Sequence, residues 1–144
     1  MRSFVVAKVI IVNQNNEILL LRRSKTDTRR PGQWDLPGGW VDEGEEVGAA
    51  AVREAQEEAG INLTAPRLIF AMSEVSDDSD SGTWIAFTER VTKTPAVQLS
   101  FEHDAFEWVP IAQVLSKMEY HRWQKMLQYI VANKLLQADN DANA

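Results

Sequence analysis

Cysteine is absent from this chain of 144 residues. Its absence excludes a disulfide framework, a zinc site built on thiolates and a cysteine nucleophile. Any metal ion must then be held by oxygen or nitrogen donors. A chain without disulfides suits a reducing compartment, and we expect a cytoplasmic protein on this ground.

Long apolar runs and an excess of positive charge are also missing. No apolar run approaches the ~20 residues that a membrane-spanning helix needs, so we expect no contact with a membrane. Met1 and Arg2 lead directly into a strand-like segment, which is not the pattern of a signal peptide. The net charge of −6 argues against binding to nucleic acid polymers, which depends on phosphate neutralisation by Lys and Arg. A small anionic substrate stays compatible with this balance.

The segments that are present indicate one mixed domain. We predict a single domain over residues 1–136 and a flexible, polar tail over residues 137–144. Apolar runs bounded by turn residues predict strands at 4–12, 17–23, 68–75, 83–91 and 106–109, with a short strand or turn at 34–41. Helical spacing predicts helices at 45–59, 111–118 and 120–136. This order indicates an α+β or α/β sandwich with a mixed sheet.

The helix at 45–59 carries the clearest chemical signal. At 3.6 residues per turn, Glu54, Glu57 and Glu58 fall within an arc of roughly 100°. Carboxylates crowded together without lysines between them favour a hard cation, and a cation held by oxygens is suited to handling phosphate. Gly38 and Gly39 allow a tight turn in front of the helix, where a backbone carbonyl would add another oxygen ligand.

A plainer interpretation of the same residues is a solvated helix. Arg53 and the glutamates would then form surface pairs that stabilise the helix by a few tenths of a kcal/mol. A solvated helix has no need of a glycine turn six residues before Glu45, nor of Gly60 at a fixed distance after the glutamates. Arg53 is predicted either to orient a carboxylate of this face or to pair with Glu45.

Residues 39–61 resemble the Nudix box, G-x5-E-x7-R-E-U-x-E-E-x-G-U with U aliphatic. The sequence meets every fixed position, with Gly39, Glu45, Arg53, Glu54, Glu57, Glu58, Gly60 and Ile61. Ala55 is a small residue for its U position. The predicted strand order is also similar to that of the Nudix fold. The resemblance implies an α/β/α sandwich with a mixed β-sheet over residues 3–135, with the box as a loop–helix–loop.

The resemblance further implies hydrolysis of a nucleoside diphosphate linked to another moiety. It implies divalent cations, usually Mg²⁺ with Mn²⁺ as an alternative, bound by Glu54, Glu57 and Glu58 and often by the Gly39 carbonyl. Arg53 belongs to the same implied catalytic set. The pattern does not fix which carboxylate takes the proton from the attacking water.

Glu102 is a candidate for a further catalytic carboxylate and metal ligand. The segment 101–110 resembles a late Nudix segment in which an acidic residue ahead of a tryptophan reaches the metals. The alternative is an exposed loop glutamate, and the sequence does not decide between the two. His103 is expected to be a loop residue or a residue that contacts the ligands from behind, rather than a ligand itself.

Candidate substrate-binding residues lie outside the box. An arginine at the end of the second strand suits phosphate oxygens, and because strand neighbours face opposite ways we favour Arg23 over Arg22. Trp34 and Trp84 are candidates for stacking on a nucleobase, against the alternative of core or edge packing, which we favour for Trp84. Trp108 and Trp123 are expected to be core residues, and the acidic run 77–80 a solvated loop.

Subgroup markers of the Nudix family narrow the expected substrate. Residues 73–78 lack the proline typical of ADP-ribose hydrolases and the tyrosine typical of dinucleoside polyphosphate hydrolases. The expectation is a MutT-like pyrophosphohydrolase that releases a nucleoside monophosphate and pyrophosphate. A hydrolase of a nucleotide sugar or ADP-ribose, and a domain that senses a nucleotide without cleaving it, are the alternatives. A homodimer is a further expectation.

Overall fold

Two apolar strands joined by a polar turn start the sheet. The computed structural model describes residues 2–76 and 78–137. Strand β1 spans Ser3–Val12 and strand β2 spans Glu17–Arg23. The Asn13 side chain closes the turn between them by accepting hydrogen bonds from the backbone N–H groups of Asn15 and Glu17, at 3.0 and 2.9 Å. Both strands bury nearly all of their large apolar side chains, each contributing about 1.5–3 kcal/mol.

The remaining elements follow in the order that the sequence predicts. They are β3 (Trp34–Asp35), β4 (Gly38–Trp40), α1 (Val47–Ala59), β5 (Arg67–Val75), β6 (Ser81–Arg90), β7 (His103–Pro110), a 3-10 turn (Ile111–Gln113), α2 (Val114–Lys117) and α3 (His121–Ala132). None of the helices in the described part of the chain is long and apolar enough to cross a bilayer.

The described strands form one mixed sheet. Its central order is β3–β2–β1–β6–β5, with β4 also paired to β1 and β7 to β2. Strands β1 and β6 run parallel over their whole length, from Ser3 opposite Ser81 to Val12 opposite Arg90. The other pairs are antiparallel. This arrangement confirms the predicted α+β class with a mixed sheet.

Alternation along β1 divides the apolar core into two layers. Val6 and Ile10 point to the face that α3 covers, while Ala7 and Val9 point to the face that α1 covers. The α1 side of the core uses small residues on the helix, Ala50, Ala51, Ala55 and Ala59. These small side chains bring the helix backbone close to the sheet. The sandwich of helix, sheet and helix is therefore confirmed.

The start of α1 differs from the prediction. Glu45 and Glu46 are not in its first turn, because the helix begins at Val47. Glu46 has extended backbone angles and caps the helix, its carboxylate accepting a hydrogen bond from Ala49 N–H at 2.8 Å. At the other end Gly60 adopts the left-handed conformation, with φ 68°, and stops the helix as predicted.

Other boundaries differ for tertiary reasons. Strand β7 starts three residues earlier than predicted, at His103, because β2 supplies partners as far as Arg23. The predicted helix at 111–118 is a 3-10 turn followed by the four-residue α2. Asp77 of the acidic loop, and most of the predicted tail (138–144), lie outside the described residues.

Candidate active site

A two-glycine turn places bare backbone against α1. Pairing of β4 with β1 sets Gly38 opposite Lys8 and Gly39 opposite Ala7. Gly38 has φ 133°, and a Cβ there would overlap the Ala7 carbonyl oxygen and lie 2.7 Å from the Lys8 Cα. A Cβ on Gly39 would lie 2.9 Å from Oε1 of Glu54. The Gly39 backbone therefore lies directly against the Glu54 carboxylate, which would have to shift to admit a side chain.

A buried lysine holds this turn in place. The Lys8 ammonium donates to the carbonyl oxygens of Leu36 at 3.1 Å and Gly38 at 3.0 Å. It lies 3.3 Å from Oδ1 of the fully buried Asp35. Hydrogen bonds from a charged donor are stronger than neutral ones, and here they tie β1 to both ends of the segment between β3 and β4. Lys8 thus fixes the backbone that faces the acidic helix.

Glu58 is the most buried carboxylate of the acidic face. Its Oε1 accepts a hydrogen bond from Gly38 N–H at 2.8 Å. Burial raises the pKa of Glu58 to about 8, and the nearby Lys8 charge and the Gly38 N–H oppose this rise. Near neutral pH the Glu58 carboxyl therefore keeps its proton.

Arg53 organises the rest of the acidic face. Its guanidinium makes a bidentate pair with Glu45, at 2.8 and 2.9 Å. The Nη1 of Arg53 also donates to Glu54 at 3.1 Å and to Glu57 at 3.2 Å. The hydrogen bond from Arg53 holds the pKa of Glu45 down at about 2. Burial raises the pKa of Glu54, against the opposing charge of Arg53. Both roles predicted for Arg53 are therefore present at once.

The donor set on this wall suits a hard cation. Gly39, Glu54, Glu57, Glu58 and Glu102 all line one cavity, and all offer oxygen. The Gly39 backbone and the Glu54 carboxylate lie against each other. As they stand, the described residues hold no group of three or more His, Cys, Asp or Glu side chains converging on one point. Nη1 of Arg53 binds one oxygen of Glu54 and one of Glu57, and the ligand assignment stays a prediction.

The cavity beside this wall has a volume of about 810 Å³. Carboxylates of Glu54, Glu57, Glu58, Glu102, Asp27, Asp78 and Asp80 line it. Basic groups of Lys8, Arg23, Arg30 and Arg122 are also among the lining residues. Aromatic rings of Phe4, Trp40, Trp84, Tyr120 and Trp123 line the same cavity. An acidic wall for a cation, basic groups for phosphate and aromatic rings for a base are the parts that a nucleotide site requires.

The family model of the NUDIX domain matches residues 2–130, which include this whole wall. The chain belongs to the Nudix family.

Relatives of this Nudix chain are found among named proteins and solved structures. It is 48% identical over 105 residues to a provisionally named 8-oxo-dGTP diphosphatase of Bacillus subtilis (strain 168), covering 72% of this chain and 64% of that protein. It is 34% identical over 90 residues to the 8-oxo-dGTP diphosphatase of Escherichia coli (strain K12), covering 62% of this chain and 69% of that protein. The MutT protein structure from Methanosarcina mazei Go1 matches with a TM-score of 0.82 and 26% identity, covering 92% and 96% of the two chains. The chain spans between 33% and 64% of the length of the first curated relatives it matches.

Glu102, outside the Nudix box, lies at the rim of the cavity. It is exposed, as the plainer interpretation expects, and it also lines the cavity. Its carbonyl accepts a hydrogen bond from Ser24 N–H at 3.0 Å, which fixes the loop before β7. The neighbouring His103 is buried rather than a loop residue and is not among the residues lining the cavity. Burial lowers the pKa of His103 to about 4.

Arg23 lies in the cavity wall of this Nudix domain, and Arg22 does not. The Arg23 guanidinium already binds Asp27 at 2.7 Å, Asp35 at 2.9 Å and the Arg29 carbonyl at 2.7 Å. Arg22 turns to the other side and pairs with Asp104 at 2.7 Å. Arg23 thus braces the loop that carries Arg29 and adds positive charge to the wall.

Trp34 does not have the position expected of a base-stacking residue. It is not among the residues that line the cavity. Its ring packs on the α3 side of the core, with the Lys117 ammonium 4.9 Å and the Arg22 guanidinium 5.9 Å from its centroid. Pairing of β3 with β2 sets Trp34 opposite Arg22 and so directs it away from the site. The packing alternative is the one that the structure supports.

Several residues of the cavity wall were not predicted from the sequence. Of these, Lys8 could have been found, because it is a lone charged residue inside the apolar run of β1. Trp84 and Trp123 are buried, as predicted, yet both line the cavity. Trp108 is only partly buried and packs on the α1 side. Burial and cavity lining coincide here because the cavity reaches into the core between the sheet and α3.

Proposed function

We propose that this Nudix chain is a metal-dependent pyrophosphohydrolase. It would cleave a nucleoside triphosphate or a modified nucleotide to a nucleoside monophosphate and pyrophosphate. The observation that carries the proposal is the single cavity that joins the acidic face of α1 to basic and aromatic walls. The names of the Bacillus subtilis and Escherichia coli relatives make 8-oxo-dGTP the first candidate substrate.

Nudix hydrolases generally use divalent metal ions. In this chain we assign ion binding to Glu54, Glu57 and Glu58, with the Gly39 carbonyl and Glu102 as further donors. Mg²⁺ is the proposed ion and Mn²⁺ the alternative. A bound divalent ion would neutralise charge on the phosphate oxygens and lower the pKa of a bound water.

The protein's own groups would divide the remaining work. Arg53, held by Glu45, would orient Glu54 and Glu57 toward the substrate side. Lys8 would keep the Gly38 turn rigid, and Glu58 would lose its proton as the ion enters. Water forms the new bond to phosphorus, the P–O bond of the anhydride breaks, and a carboxylate Oε takes the proton from water.

Glu57 and Glu102 are the exposed carboxylates on this wall, and either would suit the role of general base. The pH profile of kcat identifies the base. In the wild type kcat should rise with pH as the base loses its proton, and the Gln variant of the base should lack this rise. Pyrophosphate then leaves the cavity.

The test is a substrate panel with product quantified, in Mg²⁺ and in EDTA. The panel holds the four deoxynucleoside triphosphates, 8-oxo-dGTP, ADP-ribose and a nucleotide sugar. We expect pyrophosphate release from a triphosphate in Mg²⁺ and none in EDTA. Glu57→Gln should lower turnover by orders of magnitude, while Glu43→Gln, an exposed glutamate that does not line the cavity, should leave it unchanged.

Other outcomes would overturn the proposal in distinct ways. Full activity of Glu57→Gln would remove the acidic wall from the mechanism. Preferred cleavage of ADP-ribose or the nucleotide sugar would reassign the substrate within the same chemistry. Tight nucleotide binding with no product in either buffer would make the chain a sensor. We also propose a cytoplasmic location, which cell fractionation would test, and a homodimer, which gel filtration would test.

A further inference from the structure

An indole N–H in the deep part of the cavity has no partner. Trp123 lines the cavity, and its side chain is 2% exposed. Its Nε1 is buried, and within the described residues no acceptor reaches it. Buried tryptophan N–H groups ordinarily find an acceptor, so an unpaired one beside a cavity indicates an acceptor on the ligand.

A second unpaired donor lies close to the first. Arg30 also lines the cavity, and its guanidinium carbon is 5.8 Å from the centroid of the Trp123 ring. Its Nη1 is buried and unpaired within the described residues, since the nearest carboxylate oxygen, on Asp35, is 4.0 Å away. That distance is too long for a hydrogen bond. The Arg30 guanidinium is held 4.0 Å over the ring of Tyr120.

The other charged donors nearby are already in use. Arg122 donates to Glu74 at 2.8 Å and to the Tyr120 hydroxyl, and it stacks 4.0 Å over Trp84. Lys8 donates to two backbone carbonyls. Among the described residues that line the cavity, no buried side-chain acceptor is left unpaired. The buried side-chain atoms without a partner in this wall are therefore donors alone, and the rings of Tyr120 and Trp123 lie beside them.

We propose that the Trp123 indole N–H and the Arg30 guanidinium form a base-reading pair that selects nucleobases by a keto oxygen. This inference rests on the proposed nucleotide site and names what that site prefers. A keto oxygen accepts hydrogen bonds from both donors. An exocyclic amino group at the same position would set N–H against N–H and leave the buried donors unpaired. Hypoxanthine and guanine fit, and adenine does not.

The sharpest probe is a pair of ligands that differ at one edge of the base. Inosine and adenosine nucleotides carry an oxo or an amino group at position 6, and the neighbouring N1 holds a proton in inosine only. We would measure the Kd of inosine monophosphate and adenosine monophosphate by calorimetry in EDTA, and the kcat/KM of dITP and dATP in Mg²⁺. The wild-type protein should favour the oxo member of each pair by about tenfold, the scale of one or two well-made hydrogen bonds.

Trp123→Phe removes the N–H and keeps an aromatic ring in the core. It should weaken inosine monophosphate about fivefold and leave adenosine monophosphate within about twofold, since one neutral hydrogen bond is lost. Trp108→Phe is the matched control, because Trp108 packs on the opposite face of the sheet and is absent from the cavity wall. It should leave the ratio of the two Kd values unchanged.

Arg30→Met is the second variant. Arg30 lies on a loop, so this change avoids the core should Trp123→Phe fail to fold. It should reduce the oxo preference as Trp123→Phe does. Equal wild-type affinity for the two ligands would overturn the inference. An equal loss of affinity for both ligands in Trp123→Phe would also overturn it, because this result would show that Trp123 contributes by packing only.

The proposed enzyme and the base-reading pair can fail independently of each other. An oxo preference that depends on Trp123, without any cleavage in Mg²⁺, would refute the proposed enzyme and support the base-reading pair. Cleavage of triphosphates with no oxo preference would support the proposed enzyme and refute the base-reading pair.

Discussion

The protonation of Glu58 makes the stability of the metal-free protein depend on pH with a defined sign. Glu58 has its pKa raised from 4.5 to about 8 by burial. Between these values the folded protein keeps a proton that the unfolded chain has lost. Stability must then fall as pH rises through this window, by up to about 1.4 kcal/mol per pH unit, and level off above about pH 8.

His103 opposes this trend over part of the range. Its pKa falls from 6.5 to about 4 because the imidazole is buried. Between these values the unfolded chain holds a proton that the folded protein lacks, so stability rises with pH. The two slopes cancel between about pH 4.5 and 6.5. From 6.5 to about 8 Glu58 acts without this opposition, and the expected loss is about 2 kcal/mol. Burial also raises the pKa of Glu54, which gives a contribution of the same sign.

Urea unfolding in EDTA at pH 5, 6.5 and 8 measures this effect. The wild-type free energy of unfolding should change little from pH 5 to 6.5 and fall by about 2 kcal/mol from 6.5 to 8. Glu58→Gln keeps an acceptor for Gly38 N–H but does not titrate. The variant should lose less than half as much above pH 6.5, and it should gain stability from pH 5 to 6.5, where His103 is no longer opposed.

A wild-type protein that gains stability from pH 6.5 to 8 would refute the reasoning, and so would a variant with the wild-type profile. Saturating Mg²⁺ supplies a second check. An ion that binds ionised Glu58 should restore most of the stability lost at pH 8 in the wild type and much less in Glu58→Gln.

Three further substitutions test the turn and the acidic face. Gly39→Ala puts a methyl group 2.9 Å from the Glu54 carboxylate, so kcat should fall at least tenfold while the free energy of unfolding changes by less than ~1 kcal/mol. Lys8→Met removes the charged donor to the Gly38 carbonyl and should cost about 2–4 kcal/mol in urea unfolding. Arg53→Lys replaces the planar guanidinium by an ammonium group, which cannot donate to Glu45, Glu54 and Glu57 at the same time. We expect kcat to fall at least tenfold and the free energy of unfolding to fall by less than ~1 kcal/mol.

Matched controls keep these results interpretable. Gly48→Ala adds a methyl group against the flexible Glu46 carboxylate and should leave kcat near the wild-type value. Lys93→Met alters an exposed lysine and should change stability by less than ~0.5 kcal/mol. Arg67→Lys changes an exposed arginine that does not line the cavity and should preserve activity. Equal effects of a variant and its control would contradict the role assigned to the variant.

The local sequence determined the acidic face of α1, the end of that helix and the first two strands. The spacing of Glu54, Glu57 and Glu58 follows from the helical period, and Gly60 ends the helix because its backbone adopts φ 68°. The apolar runs set β1 and β2 for the same reason, since each strand buries side chains that alternate along the chain. The fold class and the family therefore followed from the sequence.

Tertiary structure alone decided which side chains meet across the sheet. Lys8 reaches the Gly38 carbonyl over a separation of 30 residues, and no local pattern specifies that contact. The parallel pairing of β1 with β6 and the packing of α3 bring Trp123 beside the loop that carries Arg30. Strand pairing also decided the position of Trp34. Because β3 pairs with β2 and not with β1, Trp34 lies opposite Arg22 and outside the cavity wall. Spacing along one element fixes which residues share its face, whereas burial, pKa and unpaired donors depend on what the rest of the chain places against that face.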